Sequence, residues 1–170
     1  MGFFDRIFGE KEKADPHVNG SDPLPTFDDL MKQISMTKRL NDIHFEYLNL
    51  VNLMYSRRKE PEARDLFKKL ALAHIEQFGS IRRALLRDFK IFEVEPGHYQ
   101  CKDGRPSNFV HVPTFEYLAT VYTEDGEYEK AIEVCEKAIA FGLHDWTKSD
   151  YAGRIERIKK KAQKKTCGDS

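Results

Sequence analysis

Between Phe115 and Ile139 the chain carries apolar residues at helical spacing on both sides of a short turn. Phe115, Leu118, Ala119 and Tyr122 fall on one side of a first helix. Ala131, Ile132, Cys135, Ala138 and Ile139 fall on one side of a second. Gly126 lies between them, where a left-handed turn residue is needed. Helices joined this closely must pack as antiparallel neighbours. Such a hairpin is a building block of interaction scaffolds and is rarely a catalytic centre.

The bulk composition agrees with a helical domain. The chain has 170 residues, 33% of them charged and 40% hydrophobic, the balance of a helix-rich globule rather than a disordered chain. Its 28 basic and 28 acidic residues cancel, so no global field draws it towards nucleic acid or anionic lipid. No apolar run approaches the ~20 residues of a membrane span. The N-terminus lacks the pattern of a secretory signal. The three cysteines, Cys101, Cys135 and Cys167, are odd in number and far apart, which fits neither a disulfide framework nor a metal-ligand spacing. A reducing, cytoplasmic compartment is expected.

Residues 1–25 read as an amphipathic patch, with Phe3, Phe4, Ile7 and Phe8 on one side, followed by a polar linker broken by Pro16, Gly20, Pro23 and Pro25. A helical domain is expected over 26–166, with a short tail at 167–170. Thr26 or Asp28 can cap a first helix reaching about Ser35. A second runs from about Asn41 to Arg57. Pro61 opens a third, whose stripe of Ala63, Leu66, Phe67, Leu70, Ala71, His74, Ile75 and Phe78 predicts an end at Gly79 and a short successor capped by Ser80. Between Lys90 and His111 the period changes, and Pro96-Gly97 and Asp103-Gly104 predict an irregular insertion with a small β-hairpin. Pro113 and Gly142 bracket the helix pair. A final helix covers about Ser149 to Lys165, with Tyr151, Ile155, Ile158 and Ala162 on one side and a basic opposite side.

The pair over about 112–145 resembles a tetratricopeptide repeat. Phe115, Leu118, Ala119, Tyr122, Gly126, Tyr128, Ala131 and Ala138 occupy the family's large, small, aromatic and turn positions. Cys135 stands where a large aromatic is usual, and Leu143 where a proline is usual. A degenerate match covers about 45–78, through Leu48, Val51, Asn52, Tyr55, Ala63 and Phe67, with Asn52 at a small-residue position. The segments Gly142–Lys148 and Gly153–Lys159 are also similar to the tail of uncharacterised bacterial proteins that carry this repeat. The resemblance implies an all-α fold of antiparallel hairpins closed by a C-terminal capping helix. It implies a non-enzymatic adaptor that binds a peptide or helix of another protein in a groove lined by the first helix of each hairpin. Carried onto this sequence, the outward groove positions are Glu46, Asn49, Leu53 and Arg57, then Glu116, Tyr117, Thr120 and Glu124. The basic, asparagine-rich clamp that some members use for acidic chaperone tails is not reproduced, since Glu116 and Thr120 stand in its place.

Other chemistry has less support. His98, Cys101 and His111 lie in the insertion but do not make a known metal spacing, so no cofactor or metal is expected. No phosphate loop, nucleophile elbow or zincin motif is present. His74 and Cys135, both on apolar stripes, read as packed core residues. Two alternative functions stay open. One is nucleic-acid association through Arg154, Arg157, Lys159, Lys160, Lys161, Lys164 and Lys165, which are offset only by Glu156. The other is an enzyme built on the 90–111 segment. Membrane contact through Phe3, Phe4, Ile7 and Phe8 has little electrostatic help, and Arg6 stands where a myristoylation motif needs Ser or Thr.

Overall fold

The computed structural model describes residues 23–95, 97–107 and 111–168. The aromatic N-terminal patch and most of the linker lie outside the described residues. The described chain is mostly helical, with one small antiparallel sheet inserted between the third and fourth helices. No described helix is long and apolar enough to cross a membrane.

Helix α1, Phe27–Ser35, starts at a capping box. The Thr26 hydroxyl accepts from the Asp29 amide at 3.1 Å, and the Asp29 carboxylate accepts from the Thr26 amide at 3.1 Å. The helix buries Leu30 and Ile34. Helix α2, Leu40–Ser56, buries His44, Tyr47, Leu50, Val51 and Met54. Asn52 is exposed, so it is not at a close helix crossing. The apolar residues Tyr47, Leu50, Val51 and Met54 make the buried face that their spacing implies; of the repeat positions, Val51 is buried, Leu48 and Tyr55 are half-buried and Asn52 alone faces out.

Helix α3, Pro61–Asp88, opens on Pro61 as expected but does not stop at Gly79. It runs unbroken for 28 residues, so the separate helix expected from Ser80 is its continuation. The reason is tertiary. The Phe141 ring lies over Gly79, close enough that a Cβ there would meet it at 3.8 Å. Phe141 also packs edge-on against Phe78 and Phe115, with ring centroids 5.1 and 6.0 Å away. Ile81, Ala84 and Leu85 continue the buried stripe beyond the glycine. These contacts outweigh the ~1 kcal/mol that a mid-helix glycine costs relative to alanine.

The insertion forms strands β1 (Ile91–Glu95), β2 (His98–Cys101) and β3 (Pro106–Ser107), in the order β1-β2-β3. The expected hairpin is therefore present and gains a short third strand. A register shift between Glu93 and Glu95 bulges β1 at Val94. Tyr99 anchors the sheet. It is buried, and its hydroxyl lies 3.2 and 3.3 Å from the carbonyls of Phe141 and Gly142. Arg82 reaches the same place from α3, donating to the Phe141 carbonyl at 3.1 Å and pairing with Glu93.

Helices α4, Pro113–Asp125, and α5, Tyr128–Ala140, form the hairpin read from the sequence. Gly126 and Gly142 both have positive φ, 78° and 67°. Each ends its helix with paired amide-to-carbonyl bonds: Glu127 to Tyr122 at 2.8 Å, and Leu143 to Ala138 at 3.0 Å. Helix α6, Asp150–Gly168, packs against α5 and buries Tyr151, Ile155 and Ile158. Ala119, Ala131 and Ala138 are fully buried in this half of the core.

Two predictions follow from this packing. Ala131→Leu should overpack the α4/α5 contact and destabilise by ~1–3 kcal/mol in urea unfolding; an unchanged midpoint would place Ala131 away from a helix crossing. At Gly142 a Cβ would stand 2.8 Å from the Gly97 amide nitrogen and 2.9 Å from the Tyr99 hydroxyl, on a left-handed backbone. Gly142→Ala should therefore cost more than ~1 kcal/mol and loosen the sheet before the helices, seen as faster amide exchange over residues 91–101.

Candidate functional site

The first helices of the two hairpins, α2 and α4, meet at an aromatic stack. Tyr55 of α2 and Tyr117 of α4 lie face to face, with centroids 3.9 Å apart and planes 3° from parallel. The Arg58 guanidinium lies 4.1 Å from the centroid of Tyr55. Two groups this close cannot share one face of the ring, so Tyr55 is sandwiched. Tyr55 and Tyr117 are both half-buried, and burial raises the Tyr55 hydroxyl pKa above its usual value. The stack covers core beneath it and shows an aromatic and cationic surface above.

The residues expected to line the groove divide into two groups. Asn49 and Leu53 are exposed on α2, Leu53 at 40%. Tyr117 is half-buried, as its position just off the apolar stripe implied. The other positions are held in contacts within the chain. Glu46 accepts from the Gln33 side chain of α1. Arg57 pairs with Glu60 at 2.8 Å. Glu124 pairs with Arg64 of α3 at 2.9 Å, and Arg64 also reaches Asp125 at 2.7 Å. Glu116 and Thr120 both face Arg154 of α6, at 3.2 and 3.3 Å.

Arg154 is the centre of a second arrangement. Its Nε donates to Asp145 at 3.0 Å, and the Asp145 side chain is completely buried. Asp145 also accepts from the Thr147 amide at 3.0 Å and hydroxyl at 2.7 Å. Burial opposes the charged form of Asp145, but these donors outweigh it and hold its pKa below the ordinary value. Glu116 is likewise held low by His111, 3.8 Å away, with Arg154 adding to the effect against burial. The result is a latch that joins α6, the loop after α5 and the outer side of α4. Beside it stands Trp146, 57% exposed, on a backbone with φ of 59°, its ring centroid 6.3 Å from that of His111 in an edge-to-face arrangement.

Arg154 therefore does not belong to a free basic face, whereas Arg157 stays on the exposed side of α6. Arg154 turns inward, and Arg157 donates to Ser149 at 2.8 Å. Lys159 pairs with Glu156, and Lys160, Lys161, Lys164 and Lys165 are exposed. In the insertion, His98 and Cys101 lie on β2 while His111 sits at the entrance to α4. Among the described residues, no group of three His, Cys, Asp or Glu side chains is placed to hold a metal ion. Cys135 is buried, and burial pushes its thiol pKa up to about 12, which leaves it protonated and inert at neutral pH.

Sequence reasoning missed Tyr55 as the surface partner of Tyr117, Arg58 as the cation over Tyr55, and Arg154 as the residue that occupies Glu116 and Thr120. A cue existed for the first pair, since Arg58 follows Tyr55 by one helical turn. No local cue exists for the contacts of Arg154, which join segments far apart in the chain.

Replacing Arg154 with Met should strand the buried Asp145 carboxylate and release Glu116. A fully buried pair broken this way costs ~3–5 kcal/mol, and partial exposure should lower that to about 2 kcal/mol in thermal or urea melting. Arg154→Lys should recover little, because a single ammonium cannot reach Asp145, Glu116 and Thr120 as the guanidinium fork does. Wild-type stability in Arg154→Met would mean that the latch does not hold α6. Compared with known proteins, the chain matches no family model, no curated protein and no solved structure.

Proposed function

We propose that the protein is a cytoplasmic, non-enzymatic adaptor with a tetratricopeptide-like groove, which binds a peptide or helix of another protein across the faces of α2 and α4. The observation that carries this reading is the Arg58–Tyr55–Tyr117 stack bridging the first helices of the two hairpins. Tyrosine and arginine are the residue types most often found at energetic centres of protein interfaces. Here they are preorganised by stacking, so a ligand would not bear the entropy of ordering them. Leu53 and Asn49 extend the surface along α2 with an apolar side chain and an amide. Glu46, Arg57, Glu116, Thr120 and Glu124 serve in this reading as the groove's frame, since their side chains are engaged within the chain.

The reading also rests on what the titratable groups are doing. Among the buried ones, His44, His74, Cys135 and Tyr151 are sealed in the core and Asp145 in the latch. The nucleic-acid alternative keeps Arg157 and the outer lysines of α6 but loses Arg154, which turns inward to Asp145.

Tyr117→Ala removes half of the stack and part of its cover over the core. It should cost ~1–2 kcal/mol, of which an aromatic pair accounts for ~0.5–1.5, and leave the fold intact. In quantitative affinity capture from the native host, Tyr117→Ala and Leu53→Glu should each lose the same bound protein at least tenfold. Glu133→Lys, on the exposed side of α5, should retain it. Equal capture by all three variants would remove the α2/α4 face as the binding surface.

A further inference from the structure

Beneath the hairpin joint lies a chain of polar groups that none of the surface contacts uses. The Nδ1 atom of His44 on α2 is 3.0 Å from the Nε2 atom of His74 on α3. The Nδ1 atom of His74 is 2.8 Å from the hydroxyl of Thr114, the second residue of α4. All three side chains are fully buried. The remaining ring nitrogen of His44, Nε2, is buried with no hydrogen-bond partner. Three helices are thus pinned at one point by two imidazoles and a hydroxyl.

The hydrogen positions follow from that orphan atom. With both rings neutral, His44 Nδ1–H donates to His74 Nε2, and His74 Nδ1–H donates to Thr114. This leaves a bare acceptor at His44 Nε2. The opposite tautomers would leave an orphaned N–H there, which buried structure tolerates less well. The next proton to bind has one open lone pair, at His44 Nε2, and would find no acceptor beside it.

Nor would it find a counter-charge. Around the pair, α2 presents Phe45 and Tyr47, whose rings lie 5.3 Å from His44 and 4.7 Å from His74. Helix α3 presents Phe78, 6.0 Å from His74, and Gln77, whose amide is taken by the Tyr47 hydroxyl at 2.9 Å. Helix α4 presents Thr114 and Phe115, and on α1 the Met31 sulfur accepts from the Tyr47 hydroxyl. None of these groups is a carboxylate.

We propose that the His44–His74–Thr114 chain makes the joint between the two hairpins acid-sensitive, so that proton uptake by the histidine pair releases α4 from α2 and α3. The first hairpin stays together, because α2 and α3 share a wide buried row across a short turn. Helix α4 meets it at its first turn through Thr114, Phe115 and Tyr117 and at its last through Arg64, bound to the Val121 carbonyl, Glu124 and Asp125, and Lys68, paired with Asp125.

The pH window follows from the direction of the shifts. Burial lowers His44 from 6.5 to about 4 and carries His74 well below its ordinary value, with the neighbouring His44 adding to the effect. A histidine held low in the folded state binds its proton more readily once released. The joint is therefore intact above about pH 6.5 and weakens as the pH falls towards 4. The surface clamp does not share this window. Burial opposes the Asp125 charge, but Arg64 and Lys68 hold that carboxyl below its ordinary value, so it stays ionised while the histidines respond.

The inference is independent of the adaptor reading, and its test uses the whole chain without any partner. Amide exchange followed by mass spectrometry, corrected for the intrinsic pH dependence, should show α4 losing at least tenfold in protection between pH 7 and 5, with the buried turns of α3 unchanged. A double variant, His44→Gln with His74→Gln, keeps neutral donors and acceptors at both places and should stay flat over that range. It also separates the effect from the surface histidines His98, His111 and His144. Flat protection of α4 in the wild type, or the same loss in the double variant, would overturn the proposal. Should the double variant not fold, the histidine Cε1–H resonances of the wild type decide. Titration of His44 and His74 together with the loss of α4 protection supports the proposal, and their silence down to pH 4 with α4 protected rejects it.

Discussion

Phe141 and Gly79 fix the frame on which the other elements rest. The ring of Phe141, just past the end of α5, fills the space over Gly79 and meets Phe78 and Phe115 edge-on. This contact has three effects. It keeps α3 helical through a residue that would otherwise favour a stop. It brings the second hairpin against the middle of α3. It also places the backbone carbonyls of Phe141 and Gly142 where Arg82 and Tyr99 can reach them, and so docks the sheet. A larger residue at position 79 would have to displace the ring, and all three consequences would be disturbed together.

Charges are used in this molecule mainly to hold elements in place. Arg64 and Lys68 tie α3 to the α4/α5 turn, Arg82 ties α3 to the sheet, and Arg154 ties α6 to α4 and to the loop after α5. Arg154 is the costliest to misplace, because its partner Asp145 has no exposed side-chain surface. The aromatic stack at Tyr55 and Tyr117 differs in kind. It lies at the outer edge of the core, half covered, and is held by ring stacking and a cation over the Tyr55 ring. That contrast separates the face read as a binding surface from the faces read as joints.

Much of this was legible in the sequence where the signals are local. Thr26, Pro61, Pro113, Gly126 and Gly142 act on neighbouring residues, and each marks the boundary it implied, with Thr26 rather than Asp28 as the first cap. The glycine-turned pairing around Pro96-Gly97 and the buried state of His74 and Cys135 were readable for the same reason. What was not legible depends on residues distant in the chain. The continuity of α3 is decided by Phe141, and the occupation of Glu116 and Thr120 by Arg154. On α2 the apolar residues Tyr47, Leu50, Val51 and Met54 are buried as their spacing implies, and what was not readable is His44, a polar side chain on the same row. It is buried because a second histidine and a threonine, from two other helices, satisfy one of its nitrogens.

The sheet inserted between α3 and α4 has a consequence for size. In a stack whose hairpins follow one another by short turns, each new unit can repeat the last, and the shared face lengthens with every copy. Here the passage from the first hairpin to the second runs through three strands that dock against the closing loop of α5. The two hairpins thus close on each other as a finite pair. A face two helices wide, at about 8–10 Å per helix, measures ~20 Å across. An extended chain rising ~3.3 Å per residue crosses that distance in about six residues, so the groove proposed above would take a short segment rather than a long one.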